Sequence, residues 1–297
     1  MLGPIKKSDS ETTIYGWHAC CYSRRDAAIP QPAKDTNMHK VAKALCVAGA
    51  TALAIFSTIV RADDPPPAPT PEHTFTGKLG LWSEYEYRGI SQTSEKPALQ
   101  LNLDYAHKSG FYLGTFLSNI KWLKDTAEVN GFSTSANLEW DIYGGYKFEV
   151  VKDWTLDLGY LRYEYPSSSE FSPKPNTDEV YAGVSYGPAT LKYSYSINDT
   201  FGVPNSKGSD YTELSVNYPL PSLEKLTLNG LVGHQTYRHN GFLSYTVWKL
   251  GATWDFGGGF NAGAYYKGTD AEEAAYTVKG KDWSKNRLVG FVTWSFP

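Results

Sequence analysis

From Leu99 the chain alternates without interruption, with Leu99, Leu101, Leu103 and Tyr105 on one parity and Gln100, Asn102, Asp104 and Ala106 on the other. A period of two means a β-strand with one apolar and one polar face. Lys-Ser-Gly at 108–110 then turns the chain into the aromatic-rich run 111–122, so the pair reads as a hairpin. Hairpins of this kind recur to the end of the sequence. A soluble sandwich would bury the apolar parity in a core, whereas an outer-membrane barrel turns it to lipid and lines its lumen with the polar parity.

The connections separate these two architectures. Strand-like runs fall at 76–88, 97–107, 111–122, 136–149, 154–165, 178–187, 189–198, 210–218, 225–236, 244–256, 259–268 and 286–296, twelve in all. Their mean length is about the 9 to 11 residues that a tilted membrane strand requires. Long connections at 89–96, 123–135, 166–177, 199–209, 238–243 and 269–285 alternate with short ones at 108–110, 150–153, 187–188, 219–224 and 257–258. Barrels of the bacterial outer membrane show this asymmetry, with short periplasmic turns and longer outer loops. The expected fold is therefore all-β, an antiparallel transmembrane β-barrel of twelve strands, in the bacterial outer membrane with outer-membrane lipid around it.

The faces agree. Leu138, Trp140, Ile142, Tyr146 and Phe148 oppose Glu139, Asp141, Lys147 and Glu149, and Leu191, Tyr193, Tyr195 and Ile197 oppose Lys192, Ser194, Ser196 and Asn198. A basic side chain on the lipid face near the midplane costs about 2–4 kcal/mol, so the charged parity is expected to point inward. Residues 111–122 mix apolar side chains on both parities, which leaves their phase open. Tyr87, Trp154, Tyr218 and Trp248, near strand ends, are candidates for interfacial girdles or for cross-strand aromatic pairs.

Ahead of the barrel, Met38, His39, Lys40 and Lys43 form a basic start, 44–59 an apolar run and Val60-Arg61-Ala62 a small-residue end. This is the pattern of a secretory signal peptide over 38–62, with cleavage after Ala62. Residues 1–37 are read as a mis-called N-terminal extension, and the Pro-rich stretch 63–75 as a periplasmic tether before a barrel at 76–297. All three cysteines, Cys20, Cys21 and Cys46, precede the cleavage point, which excludes a disulfide scaffold and a thiolate metal site from the remainder. Without residues 1–62 the chain keeps 20 basic and 27 acidic side chains, a balance that argues against a nucleic-acid partner.

The polar parities give a set of candidate pore-lining residues: Lys78, Glu84, Glu86, Arg88, Asp104, Glu139, Asp141, Lys147, Glu149, Asp157, Glu179, Lys192, Glu213, Lys249, Asp255, Lys267 and Arg287. The mixture of signs suits either a charged channel or salt bridges that plug a narrow barrel. Around Gly89 the sequence reads as a turn where the first strand leaves the membrane, with Arg88 paired to Glu84 or Glu86; a constriction or ligand contact is the alternative. The remaining histidines, His73, His107, His234 and His239, sit in no nucleophile motif. No metal spacing, phosphate loop or nucleotide fingerprint is present, so no cofactor is expected.

Ser83-Glu84-Tyr85, Tyr87-Arg88-Gly89-Ile90-Ser91-Gln92, Pro97-Ala98, Asp104-Tyr105 and the SGFY segment at 109–112 resemble the TorF porin family of proteobacterial outer-membrane proteins, with a later echo at 139–145. The resemblance implies a barrel and a location, and no substrate. The last run presents Leu288, Gly290, Val292, Trp294 and Phe296 on one parity, similar to the terminal strand read by the outer-membrane assembly machinery, although Pro297 follows the aromatic residue. Passive diffusion of small polar or charged solutes is the leading functional expectation. A plugged barrel acting as a structural or surface-binding protein through its loops, especially 123–135 and 269–285, is second, and an outer-membrane hydrolase third.

Overall fold

The computed structural model describes residues 71–297. The expected extension 1–37, signal 38–62 and most of the tether lie outside the described residues. Twelve strands form one closed antiparallel barrel: β1 (His73–Trp82), β2 (Ala98–His107), β3 (Phe111–Asn119), β4 (Leu138–Val151), β5 (Trp154–Glu164), β6 (Thr177–Tyr186), β7 (Ala189–Ser196), β8 (Asp210–Pro219), β9 (Leu226–Thr236), β10 (Tyr245–Gly257), β11 (Phe260–Thr269) and β12 (Arg287–Phe296). Each strand pairs with its sequence neighbour, and β12 returns to β1 in a register running from Gly77 opposite Phe296 to Trp82 opposite Phe291. Closure leaves no unpaired edge, the condition for a sheet to stand in lipid.

The alternation sets the two faces. Outward positions carry exposed apolar residues such as Leu81, Leu99, Leu158, Leu250 and Leu288. In water this belt would far exceed the few hundred Å² of contiguous apolar surface that soluble monomers tolerate. Among the described strand residues the outward acids, arginines and lysines are Arg162, Glu164, Asp178 and Asp210, all beside the long loops. Aromatic residues ring the short-turn end, with Phe75, Trp154, Tyr186, Tyr218, Phe260 and Trp294 exposed there. Trp154, Tyr218 and Trp248 are thus outward at strand ends, but Tyr87 is not: it lies inside the barrel against Tyr163. The phase left open for 111–122 resolves with Phe111, Leu113 and Leu117 outward, and Tyr112, Phe116 and Ser118 inward beside Gly145, Asp141 and Glu139.

Inside, several aromatic rings lie along the wall because a glycine faces each of them. Gly114 stands opposite Tyr143, Gly145 opposite Tyr112, Gly159 opposite Tyr181 and Gly263 opposite Phe291. A Cβ at Gly159 would lie 2.4 Å from the Tyr181 ring, and one at Gly114 2.4 Å from Tyr143. Without side chains at these positions the large rings flatten against the sheet and the space at the barrel axis is kept.

The run expected as one strand over 76–88 ends at Trp82, and residues 83–97 turn into the barrel rather than continuing along its wall. The long connections likewise fold over their end of the barrel. Residues 120–137 contain α1 (Trp122–Val129), and 270–286 contain the short α2 (Glu273–Tyr276) and a two-residue ladder pairing Thr277 with Asp282 and Val278 with Lys281. The main apolar core sits here: Trp122, Leu123, Phe171, Phe201, Leu243, Val278 and Trp283 are all at most 5 % exposed. Burying a side chain of this size is worth about 1.5–3 kcal/mol, so these loops have an apolar reason to stay folded as a cap.

Candidate functional site

The site is built around the segment that leaves β1. Glu86–Tyr87 pairs antiparallel with Ile90–Ser91 across a two-residue turn, Arg88 and Gly89, both at positive φ (47° and 85°). Positive φ at both central positions is the signature of a type I′ hairpin turn. Gly89 meets this requirement freely, and a Cβ there would come within 2.6 Å of Val247 and 2.7 Å of Thr269. Arg88 does not, and the left-handed conformation costs a non-glycine residue roughly 1–2 kcal/mol. The cost is offset by what its side chain reaches.

Arg88 crosses the lumen. Its guanidinium donates to both carboxylate oxygens of Glu179 on β6 (3.0 and 2.8 Å) and to Gln235 on β9 (2.8 Å), and it stacks over the Tyr211 ring of β8 at 4.2 Å. It pairs with neither Glu84 nor Glu86, contrary to the turn expected from the sequence. Glu86 instead accepts from the Gly89 N–H (2.8 Å) and the Tyr265 hydroxyl (3.1 Å) and forms an ion pair with Lys249. Tyr85 donates to Glu139, which also accepts from Tyr165 (3.0 Å). Lys267 donates to the Gly89 carbonyl at 2.7 Å, and Arg287 faces Glu84 at 3.7 Å and Glu95 at 2.6 Å. The hairpin is thus a crosspiece held by charge-assisted bonds to strands on several sides of the barrel.

The crosspiece and the cap are one unit. The Gln92 carbonyl accepts the N–H groups of Lys121 and Trp122 (2.8 and 3.1 Å), satisfying donors that the start of α1 leaves open. Ser94 donates to Asp125 at 2.5 Å, Lys281 donates to the Ser94 carbonyl at 2.9 Å, and the Ser91 N–H donates to the Trp283 carbonyl at 3.0 Å. Burial alone would raise the Asp125 carboxyl, but hydrogen bonds from Lys121 and Ser94 outweigh it and hold the group below the usual carboxylate range. A hydrogen bond from Arg287, opposed by partial burial, does the same for Glu95.

On the short-turn side of the crosspiece the lumen opens into a cavity of about 530 Å³, lined by Lys78, Glu213, Asn217, Asn229, Lys249 and Thr253 with Trp82, Tyr265 and Phe291. A neighbouring space of about 200 Å³ touches Glu84, Tyr85 and Glu86. The facing wall carries tyrosines bonded to carboxylates: Tyr112 to Asp157 (2.6 Å) and Tyr143 to Asp104 (2.5 Å). Lys192 lies 3.9 Å from the Tyr181 ring centroid, and Lys147 is 3.6 Å from Asp157. On the long-loop side of Arg88 the space shrinks to about 10 Å³ between Tyr87, Trp122, Phe201 and Tyr245, room for about one water.

The seventeen sequence-derived positions divide by this geometry. Lys78, Asp104, Glu139, Asp141, Lys147, Glu149, Asp157, Glu179, Lys192, Glu213, Lys249, Asp255, Lys267 and Arg287 occupy strand positions of the inward parity. Two of these serve turns at the rim: Glu149 accepts the Asp153 N–H and Asp255 the Gly257 N–H, at 2.8 and 2.7 Å. Glu84, Glu86 and Arg88 face the lumen from the crosspiece, not from a strand. The alternation alone does not signal the lumenal roles of Tyr85, Tyr163, Tyr165, Gln235 and the cap, nor the inward position of Tyr87. The Arg-Gly pair between Glu-Tyr and Ile-Ser was the available signal, as a two-residue hairpin turn.

Strand pairing, crosspiece, cap and polar cavity together define a closed antiparallel barrel of twelve strands with an internally divided lumen. Residues 67–296 match the family described as "Bacterial protein of unknown function (Gcw_chp)", and the chain belongs to that family. No curated relative matches the sequence. Among solved structures it is similar to the KdgM porin (8 % identity, 75 % of this chain and 99 % of that one, TM-score 0.48) and to the NanC porin (12 %, 75 % and 100 %, 0.46). It is also similar to the outer-membrane protein OprD from Pseudomonas aeruginosa (12 %, 75 % and 65 %, 0.36).

Proposed function

We propose that this protein is an outer-membrane channel of the porin type for small polar or charged solutes, closed in the described conformation at the crosspiece. The apolar exterior with its aromatic ring supports insertion in lipid, and the short turns then face the periplasm while the cap faces outward. β12, ending in Trp294 and Phe296, is the strand offered to the assembly machinery. Ser83 to Tyr85 and Tyr87 to Gln92, among the residues that carry the resemblance to the TorF porin family, build the crosspiece. The observation that carries the reading is a polar cavity of about 530 Å³ that shares Trp82, Lys249 and Tyr265 with the smaller space at the crosspiece residues Glu84, Tyr85 and Glu86. Water and small solutes reach that level from one side, and the barrier beyond it is held by side-chain ion pairs. Pairing of Arg88 with Glu179 and of Lys249 with Glu86 leaves no ring of one sign there, so size and polarity select more strongly than charge.

A second reading has its own observation. The apolar cluster under the cap would be expected of a permanent plug, and the barrel would then act as a structural or surface-binding protein through its outer loops. Liposome swelling with graded small sugars and amino acids separates the two. Swelling that is slow for wild type and faster for Arg88→Ala supports the channel; no swelling by either folded protein supports the plug.

A further inference from the structure

At the short-turn rim, outside the lumen, β1 begins and β2 ends side by side, with His73 directly opposite His107. Glu72 precedes β1 at the same place. One ligand atom from each of Glu72, His73 and His107 lies within 4.8 Å of the other two, and the two imidazole rings are 5.2 Å apart. We propose that these three residues bind a divalent transition-metal ion of the zinc class at the periplasmic rim.

The groups behind the ligands suit a metal as well as the ligands themselves do. Metal-binding imidazoles use one ring nitrogen for the metal and have the other fixed by a hydrogen bond. Both rings have such a partner: His73 Nδ1 lies 2.9 Å from the Tyr105 hydroxyl and His107 Nδ1 2.8 Å from Ser109 Oγ. Each hydroxyl can accept an Nδ1–H, which leaves Nε2 as the ligand, and His107 Nε2 already faces Glu72 Oε1 at 3.7 Å. A zinc ion with bonds of about 2.0–2.2 Å requires these atoms to close to about 3.3 Å, with water completing four ligands. Two imidazoles and a carboxylate select Zn²⁺, Ni²⁺ or Cu²⁺ over Mg²⁺.

Two features weaken the site. Lys108 Nζ holds the same Glu72 oxygen at 3.0 Å and must be displaced. The Ser109 N–H also points at His107 Nδ1 (3.2 Å), so the turn at 108–110 must shift to admit the metal-bound tautomer. Both lower the expected affinity. Bound metal would fasten the residue entering the barrel to the first hairpin.

The test is calorimetric titration of ZnCl₂ into the tag-free full-length protein, folded in detergent, with Cys20, Cys21 and Cys46 changed to Ser. One equivalent should bind. His73→Ala and His107→Ala should each weaken it about tenfold or more, Lys108→Ala should tighten it, and His234→Ala on the far rim should leave it unchanged. Heat-modifiable gel migration confirms that each variant is folded. Identical titrations of wild type and the folded His73→Ala/His107→Ala variant, or no uptake by either, would overturn the assignment.

Discussion

Arg88 and Glu179, 91 residues apart in sequence, meet in a two-pronged ion pair across the barrel lumen, with side chains only 7 % and 1 % exposed. Desolvation of two charges is costly, and removing one partner leaves the other buried and uncompensated. Arg88→Ala is therefore expected to destabilise the folded barrel by about 3–5 kcal/mol. Arg88→Met paired with Glu179→Gln should lose much less. Urea unfolding followed by gel migration measures both; equal losses would show that the pair is not the anchor of the crosspiece.

Gly159→Val places a side chain where the Tyr181 ring lies, 2.4 Å from its Cβ position. The ring must swing toward the barrel axis, and overpacking of this kind costs about 1–3 kcal/mol. Lower stability is the expected outcome of the same unfolding assay, with Tyr181→Ala restoring only part of it, since the new Cβ also comes within 2.8 Å of the Gly144 carbonyl oxygen.

Deleting 271–283 removes α2, the whole two-residue ladder and Trp283. The barrel strands should still close, since none of them lies in the deletion. The cap should loosen, so that protease cuts 120–137 far faster than in wild type. Unchanged protection would mean that the cap does not depend on this loop.

Acid should release the cap before the barrel. Asp125 and Glu95 both titrate below the ordinary carboxylate range in the folded protein. Their contribution is complete above the unfolded-state values of about 3.9 and 4.3 and is lost as pH falls through the lower folded values. Fluorescence of the cap tryptophans Trp122 and Trp283 is expected to change below about pH 4 while gel migration still reports a closed barrel. Asp125→Asn should abolish part of that acid step.

The fold was legible because a membrane strand writes its register into every second residue. The alternations at 98–107, 138–149 and 191–196 placed Asp104, Glu139 and Lys192 on the face they occupy. The crosspiece was not legible in the same way. Glu84, Glu86 and Arg88 alternate with Tyr85 and Tyr87, a pattern that equally describes a wall strand, and only long-range partners such as Glu179 and Lys249 reveal that it leaves the wall. The cap was hidden for another reason: Trp122, just beyond the end of β3 at Asn119, read as the last residue of the run 111–122, and Leu123 fell in the connection 123–135, so neither marked the start of α1.

Whether the crosspiece closes the lumen is read by single-channel recording in planar bilayers, comparing wild type with a variant in which 84–96 is replaced by a Gly-Ser linker of equal length. If the crosspiece is the barrier between the cavity and the outside, wild type gives rare or small current steps and the variant frequent, larger, steady ones. A variant that migrates as a folded barrel yet passes no more current than wild type would contradict it.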